Sequence, residues 1–95
     1  MLRLSIVIPA YNEEMRIQET LDHVHRYCAG QDYASEILVV NDGSTDRTGE
    51  LAAAALRQGQ DRLINLSSNK GKGCAVRSGV LATQGEYILF MDADL

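Results

Sequence analysis

The stretch LSIVIPAYNEE, residues 4–14, joins a short apolar run to a polar segment. Leu4–Ile8 is rich in β-branched residues and is bounded by Pro9, a pattern typical of a buried β-strand. The polar residues that follow separate this run from a helical pattern further along the chain. The stretch therefore predicts a strand that opens through a polar loop into a helix, and the rest of the chain alternates in the same way.

Helical and strand patterns can be placed along the whole chain. We expect Asn12 to cap the first helix and Gly30 to end it. The apolar face of this helix comprises Ile17, Leu21, Val24 and Cys28. The later elements are strands at Ile37–Val40, Leu63–Leu66 and Tyr87–Met91, a helix capped by Thr45 or Asp46, and a helix over Gly71–Ala82 that is ended by Gly85.

The order βαβαβαβ predicts an α/β fold, a Rossmann-like parallel sheet with helices on both faces, because parallel strands need such crossovers. Ligands of these sheets bind beyond the carboxyl ends of the strands. A polar segment follows each predicted strand: PAYNEE, NDGSTD, SSNKGKG and DADL. We therefore expect these segments to meet at one edge of the sheet and to form the functional site there.

The composition excludes several classes of protein. The chain has 95 residues, of which 45% are hydrophobic and 23% charged, as in an ordinary globular domain. Its net charge of −4 and the lack of a basic cluster argue against nucleic acid as a partner. Cys28 and Cys74 are too few for a disulfide framework and favour a reduced, cytoplasmic setting. The N-terminal apolar run is short and leads directly into Glu13 and Glu14, which indicates a strand and not a signal peptide.

Asp92 and Asp94 form a D-x-D motif directly after the last predicted strand. In an extended segment, side chains two residues apart lie on the same side, so both carboxylates can reach one point. Such a pair suits Mg²⁺ or Mn²⁺, which take their remaining ligands from phosphates and water. A solvated loop after a strand explains the motif equally well when it is taken alone.

Two further segments supply polar and basic groups. In NDGSTD, residues 41–46, Gly43 permits a turn with positive φ, and Asp42 is placed to accept hydrogen bonds from a ring N–H and an amine. In NKGKG, residues 69–73, Lys70 and Lys72 lie among glycines at the start of a helix, which attracts anions. A plain turn and a solvated lysine pair are the alternative interpretations. The spacing matches neither a P-loop nor a dinucleotide-binding fingerprint.

Together these segments predict a site for a metal-bound nucleoside diphosphate. A diphosphate next to two aspartates is repelled by about 4 kcal/mol for each charge pair at about 4 Å and an effective dielectric of about 20. A divalent cation between them reverses the sign of this interaction, and Lys72 adds a second counter-charge.

Four segments resemble motifs of one protein family: SIVIPAYNEE, LVVNDGSTDRT, NKGKGCAVRSG and GEYILFMDADL. In this order they are similar to the nucleotide-binding half of a family 2 glycosyltransferase with the GT-A fold, above all to polyprenyl-phosphate sugar synthases of the dolichyl-phosphate glucosyl- and mannosyltransferase type. The resemblance implies a nucleotide-sugar-dependent, inverting transferase of glycolipid or cell-envelope biosynthesis. It would take a hexose from UDP-glucose or GDP-mannose and pass it to a polyprenyl phosphate.

The resemblance also implies the site residues. The base and ribose pocket would be lined by Pro9, Ala10, Tyr11 and Glu13. Asp42 would bind the nucleobase edge, Lys72 would approach the ribose or diphosphate, and Asp92 would lie near the ribose. Asp94, with Asp92 beside it, would coordinate the Mg²⁺ or Mn²⁺ ion. No residue of this chain is assigned as the catalytic base.

Members of this family continue beyond the D-x-D motif with acceptor-binding elements. We therefore expect residues 1–95 to be the truncated, nucleotide-sugar-binding part of a glycosyltransferase domain, able to bind the donor without turnover. The last strand, internal in the GT-A topology, would be left as an apolar edge that pairs with another chain. The carboxylate of Leu95 would add negative charge beside Asp94. The full-length protein would work in the cytoplasm or at the cytoplasmic face of a membrane.

Two other functions fit part of the pattern. A sugar nucleotidyltransferase shares a related sheet and uses metal-bound aspartates, but it usually carries a glycine-rich loop after the first strand, and PAYNEE has no glycine. A non-catalytic nucleotide-binding or assembly module would use the same fold without turnover.

Overall fold

A computed structural model describes residues 2–94 and has the element order that the sequence predicts. The elements are β1 (Leu4–Ala10), α1 (Ile17–Ala29), β2 (Ser35–Asp42), α2 (Thr48–Ala55), β3 (Arg62–Leu66), α3 (Lys72–Leu81) and β4 (Tyr87–Phe90). The prediction of an α/β fold with alternating strands and helices is confirmed. The expectation about the carboxylate of Leu95 falls outside the described residues.

The strands form one parallel sheet in the order β3-β2-β1-β4. Val7 of β1 accepts a hydrogen bond from Met91 on the β4 side, and the alternation of a strand turns Pro9 to the same side. The last residue of β1 paired with β4 is Val7, so Pro9, which has no N–H to donate, lies beyond that ladder. A proline is therefore tolerated in a strand that is central in the sheet.

Helices cover both faces of the sheet, as predicted. Helices α1 and α2 pack on the face that carries Ile6, Ile8, Ile37 and Val39. Helix α3 packs on the opposite face against Val7 and Val40. A Cβ atom on Gly79 of α3 would lie only 2.4 Å from Cγ1 of Val7, so the glycine is what allows this helix to approach the sheet so closely.

At Asn12 and Gly85 the predicted helix boundaries were wrong, because a distant partner outweighs the local pattern. Asn12 does not cap α1, since its backbone has a φ of 52° and its side-chain oxygen accepts the N–H of Thr45. Gly85 does not end α3, which has Ala82 as its C-cap. Instead, the N–H of Gly85 donates to Oγ of Ser5 at 2.8 Å. The predicted end of α1 at Gly30 is confirmed.

Within residues 2–94, β4 has a neighbour only on its β1 side. All of its side chains are exposed, from 45% at Ile88 to 60% at Tyr87. An apolar strand edge with free backbone groups is a template for pairing. In the same part of the chain, no helix combines the length and the apolar character that crossing a bilayer requires.

Candidate functional site

The polar segments after the four strands meet at the carboxyl edge of the sheet, around a cavity of about 410 Å³. This volume is in the range of small-molecule sites. All eight residues predicted for the site line the cavity: Pro9, Ala10, Tyr11, Glu13, Asp42, Lys72, Asp92 and Asp94. The structure also places Asn69, Gly71 and Ala93 in its wall. The predicted convergence of the loops is thus present, whereas the ligand contacts assigned to each residue stay predictions.

The loop after β1 is held in place by the loop after β2. Three consecutive backbone N–H groups donate to side-chain oxygens: Asn12 to Ser44 (3.0 Å), Glu13 to Thr48 (2.8 Å) and Glu14 to Asp46 (3.3 Å). In return, Asn12 accepts the N–H of Thr45 at 2.9 Å. These bonds position Tyr11 and Glu13, which line the cavity.

Asp46 connects this loop contact to the start of α2. The N-cap of α2 is Arg47, so neither of the predicted capping residues, Thr45 and Asp46, occupies that position. Oδ1 of Asp46 nevertheless accepts the N–H of Thr48, the first residue of the helix, at 2.9 Å. Burial raises the pKa of Asp46, but the hydrogen bonds from the Thr48 hydroxyl and from the N–H groups of Thr48 and Glu14 outweigh it and leave the pKa below its usual value. The carboxylate is therefore ionised at neutral pH and acts as a fixed acceptor.

Asp42 is 3% exposed, and its carboxylate is engaged by the loop after β3. Oδ1 accepts the N–H of Lys70 at 2.8 Å, and Oδ2 accepts the N–H of Gly71 at 3.0 Å and the side-chain amide of Asn69 at 3.3 Å. Gly43 has a φ of 67°, as the turn predicts, and a Cβ there would lie 2.3 Å from the nitrogen of Asn69. Asp42 and Gly43 thus bring the NKGKG segment against the end of β2.

This arrangement refines the role that the sequence suggests for Asp42. A carboxylate oxygen has two acceptor positions, so one position on Oδ1 is left after the bond to Lys70. Binding of a nucleobase edge by Asp42 stays a prediction, and it has only that position to use while the loop bonds persist. Asn69 was missed by the sequence reasoning because its partner lies 27 residues away, although its place at the head of NKGKG was a usable signal.

The carboxylates of the D-x-D motif are exposed and each faces one cation. Asp92 forms an ion pair with Lys72, and Asp94 lies 3.7 Å from the guanidinium of Arg16. The two aspartate side chains are 59% and 46% exposed, whereas Ala93 between them is 2% exposed. The motif lies outside β4, with a bend at Ala93, and both of its aspartates line the open cavity.

The donor set at this edge fits a hard divalent cation that is completed by a ligand. Over residues 2–94, no three His, Cys, Asp or Glu side chains are grouped in a way that could hold a metal ion by themselves. Asp92 and Asp94 provide oxygen ligands, which Mg²⁺ and Mn²⁺ prefer. Mg²⁺ commonly takes one or two carboxylates and obtains its other ligands from phosphates and water. These aspartates can therefore contribute to a metal site that a phosphate ligand completes.

The sequence model of glycosyl transferase family 2 matches residues 5–95. The chain belongs to glycosyl transferase family 2. The match spans all four motif segments and confirms the resemblance drawn from them, together with the GT-A type of fold that its structural neighbours have.

Related proteins and solved structures are similar to this chain over almost its whole length. Dolichyl-phosphate beta-glucosyltransferase ALG5C of Trichomonas vaginalis is 44% identical over 96 residues, which cover 95% of this chain and 28% of that protein. Among solved structures, S. aureus TarS 1-349 in complex with UDP-GlcNAc has a TM-score of 0.84 and 30% identity, over 98% of this chain and 27% of the other.

A second solved structure is the mannosyltransferase PcManGT of Pyrobaculum calidifontis in complex with GDP-Man and Mn²⁺. It has a TM-score of 0.83 and 28% identity over 97% of this chain and 27% of the other. The family 2 chain described here therefore spans less than a third of the length of these relatives.

Proposed function

We propose that residues 1–95 form the nucleotide-sugar-binding part of an inverting glycosyltransferase. The observation that carries this proposal is the cavity where four strand ends bring Asp92, Asp94 and Lys72 together. Membership in family 2 supports the reaction class, and the same edge of the sheet is where parallel α/β folds bind ligands.

The charges around the cavity favour a diphosphate that arrives with a cation. Glu13, Asp42, Asp92 and Asp94 line it, against the single basic side chain of Lys72. A bare diphosphate would be repelled there, since like charges at short range cost about 4 kcal/mol per pair at about 4 Å and an effective dielectric of about 20. Asp94 and Asp92 would hold the Mg²⁺ or Mn²⁺ ion. Lys72 would give up its ion pair with Asp92 and bind a phosphate oxygen or the ribose instead.

The wall formed by the other loops suits the nucleoside. Pro9 and Ala10 end β1, and Tyr11 is 46% exposed at the cavity, so an apolar strip and a ring are available to a base and a ribose. Glu13 and the remaining acceptor position of Asp42 provide polar contacts. Solved neighbours are in complex with UDP-GlcNAc and with GDP-Man, so both UDP- and GDP-linked sugars are candidate ligands of this pocket.

The relatives suggest the rest of the reaction. Dolichyl-phosphate beta-glucosyltransferases are similar at 35–44% identity, which favours a polyprenyl phosphate as the acceptor and glucose as the transferred hexose. A lipid-phosphate acceptor would put the reaction at a membrane surface, and we propose the cytoplasmic face. A divalent cation held by Asp92 and Asp94 would stabilise the negative charge on the diphosphate leaving group. Asp92, Asp94 and Lys72 would hold the donor so that its anomeric carbon is open to attack.

Isothermal titration calorimetry with UDP-glucose and GDP-mannose, with and without Mn²⁺, tests the proposal. We expect binding of at least one sugar nucleotide that strengthens about tenfold or more with Mn²⁺, and loss of this strengthening in Asp94→Asn. The matched control is Asp32→Asn, because Asp32 is an exposed carboxylate outside the cavity. Absence of binding in every condition would contradict the proposal and favour a non-catalytic assembly module instead.

The apolar edge of β4 supports a second proposal, that two copies of the chain pair through this strand. Leu89 and Phe90 are 49% and 58% exposed next to free backbone groups. Light scattering should show an average molecular mass that rises with protein concentration. The substitution Leu89→Lys should lower this mass at a given concentration. A strict monomer at high concentration would contradict this pairing.

A further inference from the structure

Thr20 is a polar residue on the buried face of α1. It is 2% exposed and stands among the apolar residues Ile17, Leu21 and Val24 that face the sheet. A buried hydroxyl needs a partner, and a helical threonine can find one locally by donating to the carbonyl four residues before it. Here the hydroxyl of Thr20 donates instead to the carbonyl of Ala93, 73 residues away in sequence.

Ala93 is the middle residue of the D-x-D motif, and its backbone has little other support. The ladder of β4 ends with the bond from the N–H of Met91 to Val7. Within residues 2–94, the bond from Thr20 is the one hydrogen bond that reaches the backbone of residues 92–94. Ala93 is 2% exposed, so a backbone carbonyl left without this donor would be costly there.

We propose that Thr20 is a positioning residue for the D-x-D motif. By holding the carbonyl of Ala93 in the core, its hydroxyl fixes the backbone so that Asp92 and Asp94, one on each side, both face the cavity. The consequence for ligand binding rests on the proposed function, since it assumes that these carboxylates hold a cation together with a nucleotide sugar. The positioning of the backbone does not depend on that assumption.

Three variants separate positioning from packing. Thr20→Val keeps the shape and removes the hydroxyl, and Thr20→Ser keeps the hydroxyl and removes a methyl group. Cys28→Ala is the matched control, because Cys28 is 6% exposed on the same helix and far along it from Ala93. If Thr20→Val does not fold, Thr20→Ala replaces it with the same expectations.

The first measurement needs no ligand. In ¹⁵N relaxation of the 95-residue chain, the amides of Ala93 and Asp94 should become more mobile in Thr20→Val. They should remain as in the natural sequence in Thr20→Ser and Cys28→Ala. Unchanged order at Ala93 and Asp94 in Thr20→Val would overturn the proposal, and so would an equal loss of order in Cys28→Ala.

The second measurement is the gain in UDP-glucose affinity on addition of Mn²⁺. We expect this gain to fall by about tenfold in Thr20→Val, the effect typical of losing a residue that orients a metal ligand, and to be retained in Thr20→Ser. A gain that is unchanged in Thr20→Val, or lost equally in Cys28→Ala, would overturn the link to ligand binding. If the natural sequence binds no sugar nucleotide, the proposed function fails, and the relaxation data alone decide the positioning.

Discussion

Carboxylates at the amino ends of the strands and at their carboxyl ends, where the cavity lies, are held in opposite ways. At the edge away from the cavity, Asp61 and Glu36 have side chains that are 0% and 2% exposed. Asp61 accepts hydrogen bonds from the side chains of Arg57 and His25 and from the N–H of Ile37. At the cavity edge, Asp92 and Asp94 are 59% and 46% exposed and face one cation each.

This difference separates carboxylates that hold the fold from carboxylates that are free to bind. A buried carboxylate whose acceptor positions are filled by its own chain has no capacity left for a ligand, and removing it leaves its donors without a partner. An exposed ion pair contributes little to stability, so a ligand or a cation can replace one member at small cost. Asp42 lies between these cases, since it borders the cavity but is 3% exposed.

The largest effect on stability is expected from Asp61→Asn. The free energy of unfolding should fall by about 3 kcal/mol, because Arg57 and His25 lose a buried, charged acceptor. Urea denaturation measures this change. Asp22→Asn, which breaks the exposed pair with Arg26, is the control and should change stability by no more than about 0.5 kcal/mol. Equal effects of the two substitutions would remove the distinction between the edges.

The same carboxylate predicts how stability depends on pH. Burial raises the pKa of Asp61, but hydrogen bonds from Arg57, His25 and Ile37 outweigh it and bring the pKa below the usual 3.8. A lowered pKa in the folded state contributes stability above pH 3.8, and this contribution is lost as the pH falls below that value. Urea midpoints can be measured as the pH is lowered from 6 to 3, a range chosen around the usual aspartate pKa. They should fall more steeply in the natural sequence than in Asp61→Asn. Parallel curves would contradict this account.

An intermediate effect is expected from Asp42→Asn. Its amide can accept only through one oxygen, so one of the N–H groups of Lys70 and Gly71 loses its acceptor, and stability should fall by about 1–2 kcal/mol. Hydrogen exchange should show weaker protection of these two amides, while Asp32→Asn leaves it unchanged. If protection persists in Asp42→Asn, the carboxylate does not hold the NKGKG segment.

The smallest effect on stability is expected from Asp92→Asn. Because Asp92 and Lys72 form an exposed ion pair, the free energy of unfolding should change by no more than about 0.5 kcal/mol. Binding of a sugar nucleotide with Mn²⁺, measured by calorimetry, should nevertheless weaken about tenfold. A large loss of stability with unchanged binding would place Asp92 with the structural carboxylates and reverse the comparison.

The elements and the location of the cavity could be predicted from local patterns. The apolar run Leu4–Ile8, with its β-branched residues, indicates a buried strand directly in the sequence. The errors at Asn12 and Gly85 have one cause: asparagine commonly begins a helix and glycine commonly ends one, but here each bonds a residue far away in the chain. Local propensity describes what a residue can do and not which partner it meets.

From the sequence alone follow the alternating parallel architecture, the edge at which the loops converge and the acidic character of the site, because hydrophobic periodicity and turn residues act over a few neighbours. Only the tertiary structure decided which carboxylates stay open. Asp42 is engaged by donors 27 to 29 residues away, and the backbone of the D-x-D motif is held by Thr20, 73 residues away. Hydrogen bonds over such separations depend on how the strands and helices pack, so a local pattern can mark a polar residue such as Asn69 without showing which partner it meets.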